Sequence, residues 1–484
     1  MKGRTSDEGK GPSKVSSDDR SQPTLWDSDA ADGVSPWKPA AGRSDDTTAR
    51  AQNLHPPKAE GLVEQMLAKA NLQKALQRVE RNGGAPGIDG MTAKELRSFL
   101  HANWPPIAER LTRGTYKPQP TRRVEIPKTS GGKRALGVPT VLDRFIQQAM
   151  LQVLTPIFDP DFSEMSFGFR PRRSAHMAVE QARAFISDGY GVVVDIDLDS
   201  FFDRVNHDAL MSKVYRRVGD EAMLKLVRAY LNAGVMVQGL KVSTTEGTPQ
   251  GGPLSPLLAN IMLDDLDKEL ERRSHHFVRY ADDISIYVRS ERAGERVFEG
   301  VSSFIERRLK LKVNRAKSAV ALATKRGLLG FFFFRRNGEV KVRIDPKARR
   351  ALKDRIRRLT SRSWGISTTR RIAILNRFIR GWCAYFALAD TPSVFAELDE
   401  WLRHRLRQVT WKQWKRLRTK MRMLQRHGIP RQKAWEWANT RKGTWRISGS
   451  AVLQRALPNA YWSGAGLVGF VESYGRIRKV WRTA

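Results

Sequence analysis

Two adjacent carboxylates, Asp282 and Asp283, follow Tyr280 and Ala281 and stand between the strand-like runs Phe277–Val278 and Ile284–Val288. That arrangement puts the acids in a hairpin turn. Taken alone, an acidic pair at a turn is commonly a solvated cap, because short polar side chains satisfy turn backbone. A second segment argues for more. Gly191–Leu198 is an apolar β-run carrying Asp195 and Asp197, followed by Phe201, Phe202 and Asp203 and by a helix beginning near His207. An ionised Asp in such a strand is costly unless something positive pairs with it. Side chains alternate along a strand, so Asp195 and Asp197 share one face. A neighbouring hairpin bearing Asp282 and Asp283 would bring three carboxylates around one point. Oxygen ligands without His or Cys suit Mg²⁺, and two such ions about 4 Å apart clamp the attacking and leaving oxygens of a phosphoryl transfer. The chemistry within reach is nucleotidyl transfer.

Two further segments could serve such a centre. In Gly247–Pro256, Gly247, Gly251 and Gly252 let backbone approach a base pair or nucleotide, while Gln250 offers an amide. Upstream, Ile126–Pro139 contains Lys128, Lys133 and Arg134 around Gly131 and Gly132, a basic hairpin whose flexible Lys and forked Arg could neutralise phosphate oxygens. A basic hairpin that serves only solubility is the alternative.

Asp197 with Phe202, the Gly247–Pro256 run and Tyr280–Asp283 resemble, in order and separation, three motifs of reverse transcriptases. The resemblance implies two Mg²⁺ ions held chiefly by Asp197 and Asp282, with the Leu198 carbonyl helping and Asp283 alongside. Asp195 is left outside the ligand set, because the motif puts the ligand five residues before the bulky Phe202. Phe202 becomes a steric gate whose ring leaves no room for a ribonucleotide 2′-hydroxyl; core packing is the alternative. Gln250 is assigned to the incoming deoxynucleotide, and Gly251 and Tyr280 to template and primer. The 126–139 segment resembles the family's fingers hairpin, with Lys128 and Arg134 on the triphosphate. Lys317 sits where the family places a lysine that protonates leaving pyrophosphate. Asp199 is an extra acid between Asp197 and Phe202.

Asn82–Gly90, Phe167–Pro171, Leu329–Phe331 and Leu375–Trp382 are similar to stretches of bacterial group II intron maturases, and this resemblance covers roughly residues 60 to 450. It implies an α+β right-hand polymerase: fingers over 56–190, a palm with a ferredoxin-like sheet over 191–340, an all-α thumb and RNA-binding domain over 341–440, and a short C-terminal extension over 441–484. The implied partners are group II intron RNA, an RNA template with DNA primer, dNTPs and target DNA. Residues 440–484 contain neither Cys nor His, so the metal-binding nuclease of larger relatives is not expected there.

Composition agrees. In 484 residues, 86 Lys and Arg face 50 Asp and Glu, a net charge of +36 that repels itself unless a polyanion lies along the surface. From residue 341 onward 34 basic residues stand against 8 acidic, on segments of helical spacing at 345–363, 368–388, 393–425 and 429–439. There Arg355, Arg357, Arg358, Arg403, Arg405 and Arg407 alternate with Trp401, Trp411 and Trp414, phosphate contacts beside stacking rings, although any single tryptophan at that spacing is first a core residue. Residues 1–55, rich in Ser, Asp, Gly and Pro, are expected to be a disordered leader. No long apolar run suggests a membrane, and a cytoplasmic, nucleoid-associated protein is expected. The lone Cys383 is expected to be a small buried residue. Two rivals stay open: an RNA-binding splicing helper with a vestigial polymerase site, and a defence or CRISPR-associated reverse transcriptase without an intron of its own.

Overall fold

The computed structural model describes residues 58–127, 133–237, 240–242 and 251–483. The expected leader, Lys128 and Gln250 therefore lie outside the described residues.

A four-stranded antiparallel sheet lies at the centre, ordered His276–Tyr280, Asp283–Val288, Val192–Ile196, Ala319–Leu322. Its register follows from its two faces. Val192, Val194 and Ile196 share one apolar cluster with Ile284, Ile286 and Val288, and there the helices Ser255–Arg272 and Glu291–Arg308 cover the sheet. Val193, Val278 and Tyr287 point the other way, toward the helix Ala175–Ser187 and the C-terminal helices. A one-residue slip would exchange these faces, so burial of about 1.5–3 kcal/mol per large apolar side chain locks the pairing.

The expected basic hairpin forms: Thr121–Pro127 pairs antiparallel with Lys133–Val138, and Thr121 and Arg122 also pair in parallel with Val235 and Met236. Its base is tied to the helix Val141–Phe158 through the buried Asp143. That carboxylate accepts from Tyr116 Oη at 2.9 Å, Thr140 Oγ1 at 2.7 Å, Tyr230 Oη at 3.1 Å and the Gln119 amide at 3.1 Å. Burial pushes the Asp143 carboxyl above the usual range, and these four donors oppose that rise.

Beyond the central sheet, Gly327–Leu328, Phe331–Arg336 and Glu339–Ile344 make a second, three-stranded sheet. Phe331, Phe333, Val340 and Val342 enter the same apolar cluster as Leu375, Ile379, Leu402 and Leu406. The helices expected from the tail are present as Pro346–Leu359, Thr368–Phe386, Pro392–Gln413, Leu417–Arg426 and Arg431–Ala438, the 393–425 stretch being broken around Trp414. Residues 441–483 add four more helices. The last, Phe470–Thr483, packs on Thr368–Phe386 and Pro392–Gln413, with Phe470 fully buried and its amide capped by Asp399 at 2.8 Å.

Candidate nucleotidyl-transfer site

Val192–Ile196 pairs with Asp283–Val288 so that Asp195 faces Ser285 and Ile196 faces Ile284. The pairing ends there, with Asp197 the next residue on one strand and Asp283 the next on the other. The turn itself comes from the adjoining hairpin, where Tyr280 pairs with Asp283 and only Ala281 and Asp282 form the loop. Ala281 has φ 58, the positive φ that a primed hairpin turn needs at its first loop residue. Asp197 is held from behind: its amide donates to Ser318 Oγ at 3.0 Å, its carbonyl accepts from Asn314 N at 2.8 Å, and Leu198 bridges to Val313.

Lys317 belongs to the same loop, and its Nζ stands 3.7 Å from Asp197 Oδ2. Asp195, on the same face of the strand, is taken up by Arg326, whose Nε donates to Oδ2 at 3.1 Å and whose terminal nitrogen reaches the same oxygen and the Lys317 carbonyl. Burial pushes the Asp195 carboxyl up, the Arg326 bond and charge pull it down, and Asp197 pushes it up again. Asp195 is thus the strand acid whose burial is met by an arginine, while Asp197 has only the more distant Lys317 ammonium beside it. Asp199 pairs with Arg204 at 3.4 Å.

Phe202 is half-buried on the short helix Phe201–Arg204, edge-on to Phe201 with ring centroids 5.2 Å apart. Tyr280 is half-buried, its ring 6.3 Å from that of the exposed Phe169. Gly251 has φ 138, and a Cβ there would lie 2.5 Å from the Gly137 carbonyl oxygen, so the Gly/Pro-rich segment and the basic hairpin touch at a point where only glycine fits. The Arg134 backbone pairs with Ile126; its side chain, like Lys128 and Gln250, is outside the described residues.

Carboxylates at one strand end and one turn, with a carbonyl nearby, suit Mg²⁺, which proteins hold through one or two carboxylates plus substrate phosphates and water. Among the described residues no group of three or more His, Cys, Asp or Glu side chains is placed to hold a metal ion, so the three carboxylates expected around one point are not gathered as a set by the protein alone. Oxygens from nucleotide or water would have to complete the coordination.

In the tail Arg355, Arg357 and Arg358 are exposed, and Trp411 and Trp414 are core residues, as expected of tryptophans at that spacing, whereas Arg405 and Arg407 are taken up by packing. Arg407 is buried and donates to the Leu457 carbonyl at 3.1 Å, Arg405 donates to Thr360 Oγ1 at 2.7 Å, and Trp411 and Trp414 are buried. These side chains close helix ends and fill the core. The exposed rings are instead Trp364, Trp435, Trp445 and Trp481. Motif reading passed over two residues that border the candidate site: Arg326, bonded to Asp195, and the fully buried Arg279, bonded to the Ala281 carbonyl. Arg279, a charge inside the run Phe277–Tyr280, could have been found by asking what pairs with it.

Residues 126–342 match the family "reverse transcriptase (RNA-dependent DNA polymerase)", and residues 349–428 match "group II intron, maturase-specific domain". Protein YkfC of Escherichia coli K12 is 34% identical over 49% of this chain and 72% of its own length. The group II intron-encoded protein LtrA of Lactococcus lactis subsp. cremoris is 38% identical over 40% of this chain, and the match spans about a third of LtrA, 32%. A solved partial Cas6-RT-Cas1–Cas2 complex aligns over 51% of this chain and 42% of that one with TM-score 0.34 and 24% identity. Among the described residues no helix is long and apolar enough to cross a membrane. Two family matches in the order polymerase then maturase, on a chain with a carboxylate-bearing hairpin beside a carboxylate-bearing strand, lead to one conclusion: the chain belongs to the reverse transcriptase family of RNA-directed DNA polymerases and carries a group II intron maturase domain.

Proposed function

We propose that this chain copies RNA into DNA by two-metal nucleotidyl transfer at Asp197, Asp282 and Asp283, and that its helical part binds a group II intron RNA to assist splicing and mobility. The single observation that carries the reading is the pairing of Val192–Ile196 with Asp283–Val288, which sets the end of one acid-bearing strand against the acid-bearing turn. Bound there, two Mg²⁺ ions would lower the pKa of the primer 3′-hydroxyl and neutralise charge on the transferred phosphate. The protein's own groups do the rest. Asp197, Asp282 and the Leu198 carbonyl would hold the ions, with Asp283 in support. Lys128 and Arg134 bind the triphosphate, Gln250 and Phe202 bound the sugar and base, and Gly251 and Tyr280 line template and primer. The primer 3′-hydroxyl gives its proton to water as its oxygen bonds to phosphorus and the bond to pyrophosphate breaks, and Lys317, whose Nζ is 3.7 Å from Asp197 Oδ2, gives pyrophosphate a proton.

The excess of cationic side chains suits intron RNA and target DNA and supports a nucleoid-associated location in a bacterium. Primer extension on an RNA template with Mg²⁺ tests the assignment. Asp282→Asn is expected to abolish extension while intron RNA binding persists, since the basic helices are untouched. Wild-type extension by that variant would refute the metal assignment, and absence of extension by the unaltered chain with RNA binding intact would favour a splicing helper with a vestigial site.

A further inference from the structure

We infer that Arg279, with Asp267 and Asn260, is a positioning residue that fixes the plane of the Ala281–Asp282 peptide and thereby sets where the turn carboxylates stand. The inference rests on the reading that Asp282 is a metal ligand. Arg279 and Asp267 are both fully buried, and their side chains meet as a fork: Nε donates to Asp267 Oδ1 at 2.7 Å and a terminal nitrogen to Oδ2 at 2.5 Å. The other terminal nitrogen donates to Asn260 Oδ1 at 2.9 Å and to the Ala281 carbonyl at 3.0 Å. That last bond holds the peptide leading into Asp282.

Stability alone does not account for such a pair. Two charges taken out of water regain by mutual attraction little more than they lose, and apolar residues of the same volume often serve the core as well or better. An apolar substitute cannot donate to the Ala281 carbonyl. That carbonyl belongs to a non-glycine residue at φ 58, a conformation that persists only when its surroundings impose it.

The surroundings do so from both sides. Asn260 donates its amide to the Gly168 carbonyl at 2.9 Å, and Gly168 lies so close to the turn that a Cβ there would be 2.2 Å from Ala281 N. The Phe167 amide donates to the Arg279 carbonyl, and the Arg279 amide to Met165, each at 2.9 Å. Asn260 and Asp267 belong to the helix Ser255–Arg272, which continues directly from the Gly251–Leu254 segment. One helix therefore fixes both the segment assigned to the template and the turn that carries the acids.

The discriminating variant is Arg279→Met with Asp267→Leu, compared with Arg279→Lys, Asn260→Ala and Asp282→Asn. Thermal unfolding, intron RNA binding, single-turnover primer extension and the Mg²⁺ concentration for half-maximal rate are measured on the full chain. The double variant is expected to unfold at or above the wild-type temperature and to bind RNA normally. Its extension is expected to be about 100-fold slower with a raised Mg²⁺ requirement, the loss that a misplacement of about 1 Å brings. Arg279→Lys, whose single ammonium cannot span all four acceptor oxygens, is expected to slow similarly. A stable double variant with wild-type rate and Mg²⁺ dependence overturns the inference, because the pair would then only fill the core. If the double variant does not fold, Asn260→Ala decides: about tenfold slower extension at unchanged RNA binding supports the role, and an unchanged rate overturns it. An active Asp282→Asn would instead refute the metal assignment on which the inference rests.

Discussion

Gly168→Ala perturbs the acid-bearing turn by adding one methyl group and removing nothing. The new Cβ would stand 2.2 Å from Ala281 N, 2.9 Å from the Tyr280 carbonyl carbon and 3.1 Å from Ala281 Cα, where ordinary contact begins at 3.4 Å. The atoms in the way are main chain on a two-residue turn, so no flexible side-chain tip can yield, and one backbone has to retreat by roughly 1 Å. Overpacking of this kind costs about 1–3 kcal/mol of stability, which leaves the chain folded. A reacting group displaced by about 1 Å loses on the order of 100-fold in rate, about 2.7 kcal/mol of barrier. Single-nucleotide extension under single-turnover conditions measures that loss, with thermal unfolding and RNA binding as checks on the fold. Gly365→Ala, where a Cβ meets nothing within 4 Å, is the control. A Gly168→Ala chain that extends at the wild-type rate would show that the placement of this turn does not govern the chemistry.

Phe202→Val is expected to admit ribonucleotides; unchanged sugar selectivity would make the half-buried ring a core residue only. Lys317→Ala is expected to slow single-turnover extension by about 100-fold or more with dNTP affinity nearly unchanged, as loss of a general acid does, and a rate within twofold of wild type would remove Lys317 from the mechanism. Burial, with the Asp399 charge beside it, pushes the Cys383 thiol from 9.0 up to about 12. Above pH 9 the unfolded chain sheds this proton while the native chain keeps it, so this contribution to stability is intact below that pH and fades as pH rises toward 12. At pH 8 a thiol reagent should therefore label Cys383 only on unfolding, and rapid labelling of the native chain would contradict its buried position.

The acids were legible because each sits in a short run whose composition conflicts with its surroundings: carboxylates ending an apolar strand, and a carboxylate pair at a hairpin turn. Their partners were not. Arg326 lies 131 residues from Asp195, and nothing local in either segment says they meet. The sheet order, with Val192–Ile196 between Asp283–Val288 and Ala319–Leu322, is equally non-local. The Phe331–Ile344 hairpin did carry a local signal, Asn337-Gly338 with φ 54 and 80 between two six-residue strands, the sequence a tight primed turn prefers. In the tail, charge concealed packing: Arg371 looks like its exposed neighbours in sequence, yet is buried and donates to the Leu359, Ser361 and Trp364 carbonyls where a helix ends.

Val193, Val278 and Tyr287 of the central sheet share one continuous apolar cluster with Phe331, Phe333, Leu375, Ile379 and Phe386. The helices after residue 345 are thus welded to the back of the acid-bearing sheet, with no linker on which they could pivot. Close-packed interiors resist gradual deformation, so a swing of these helices would have to tear that seam open. Advancing along a template then falls to the nucleic acid, which slides past a fixed wall.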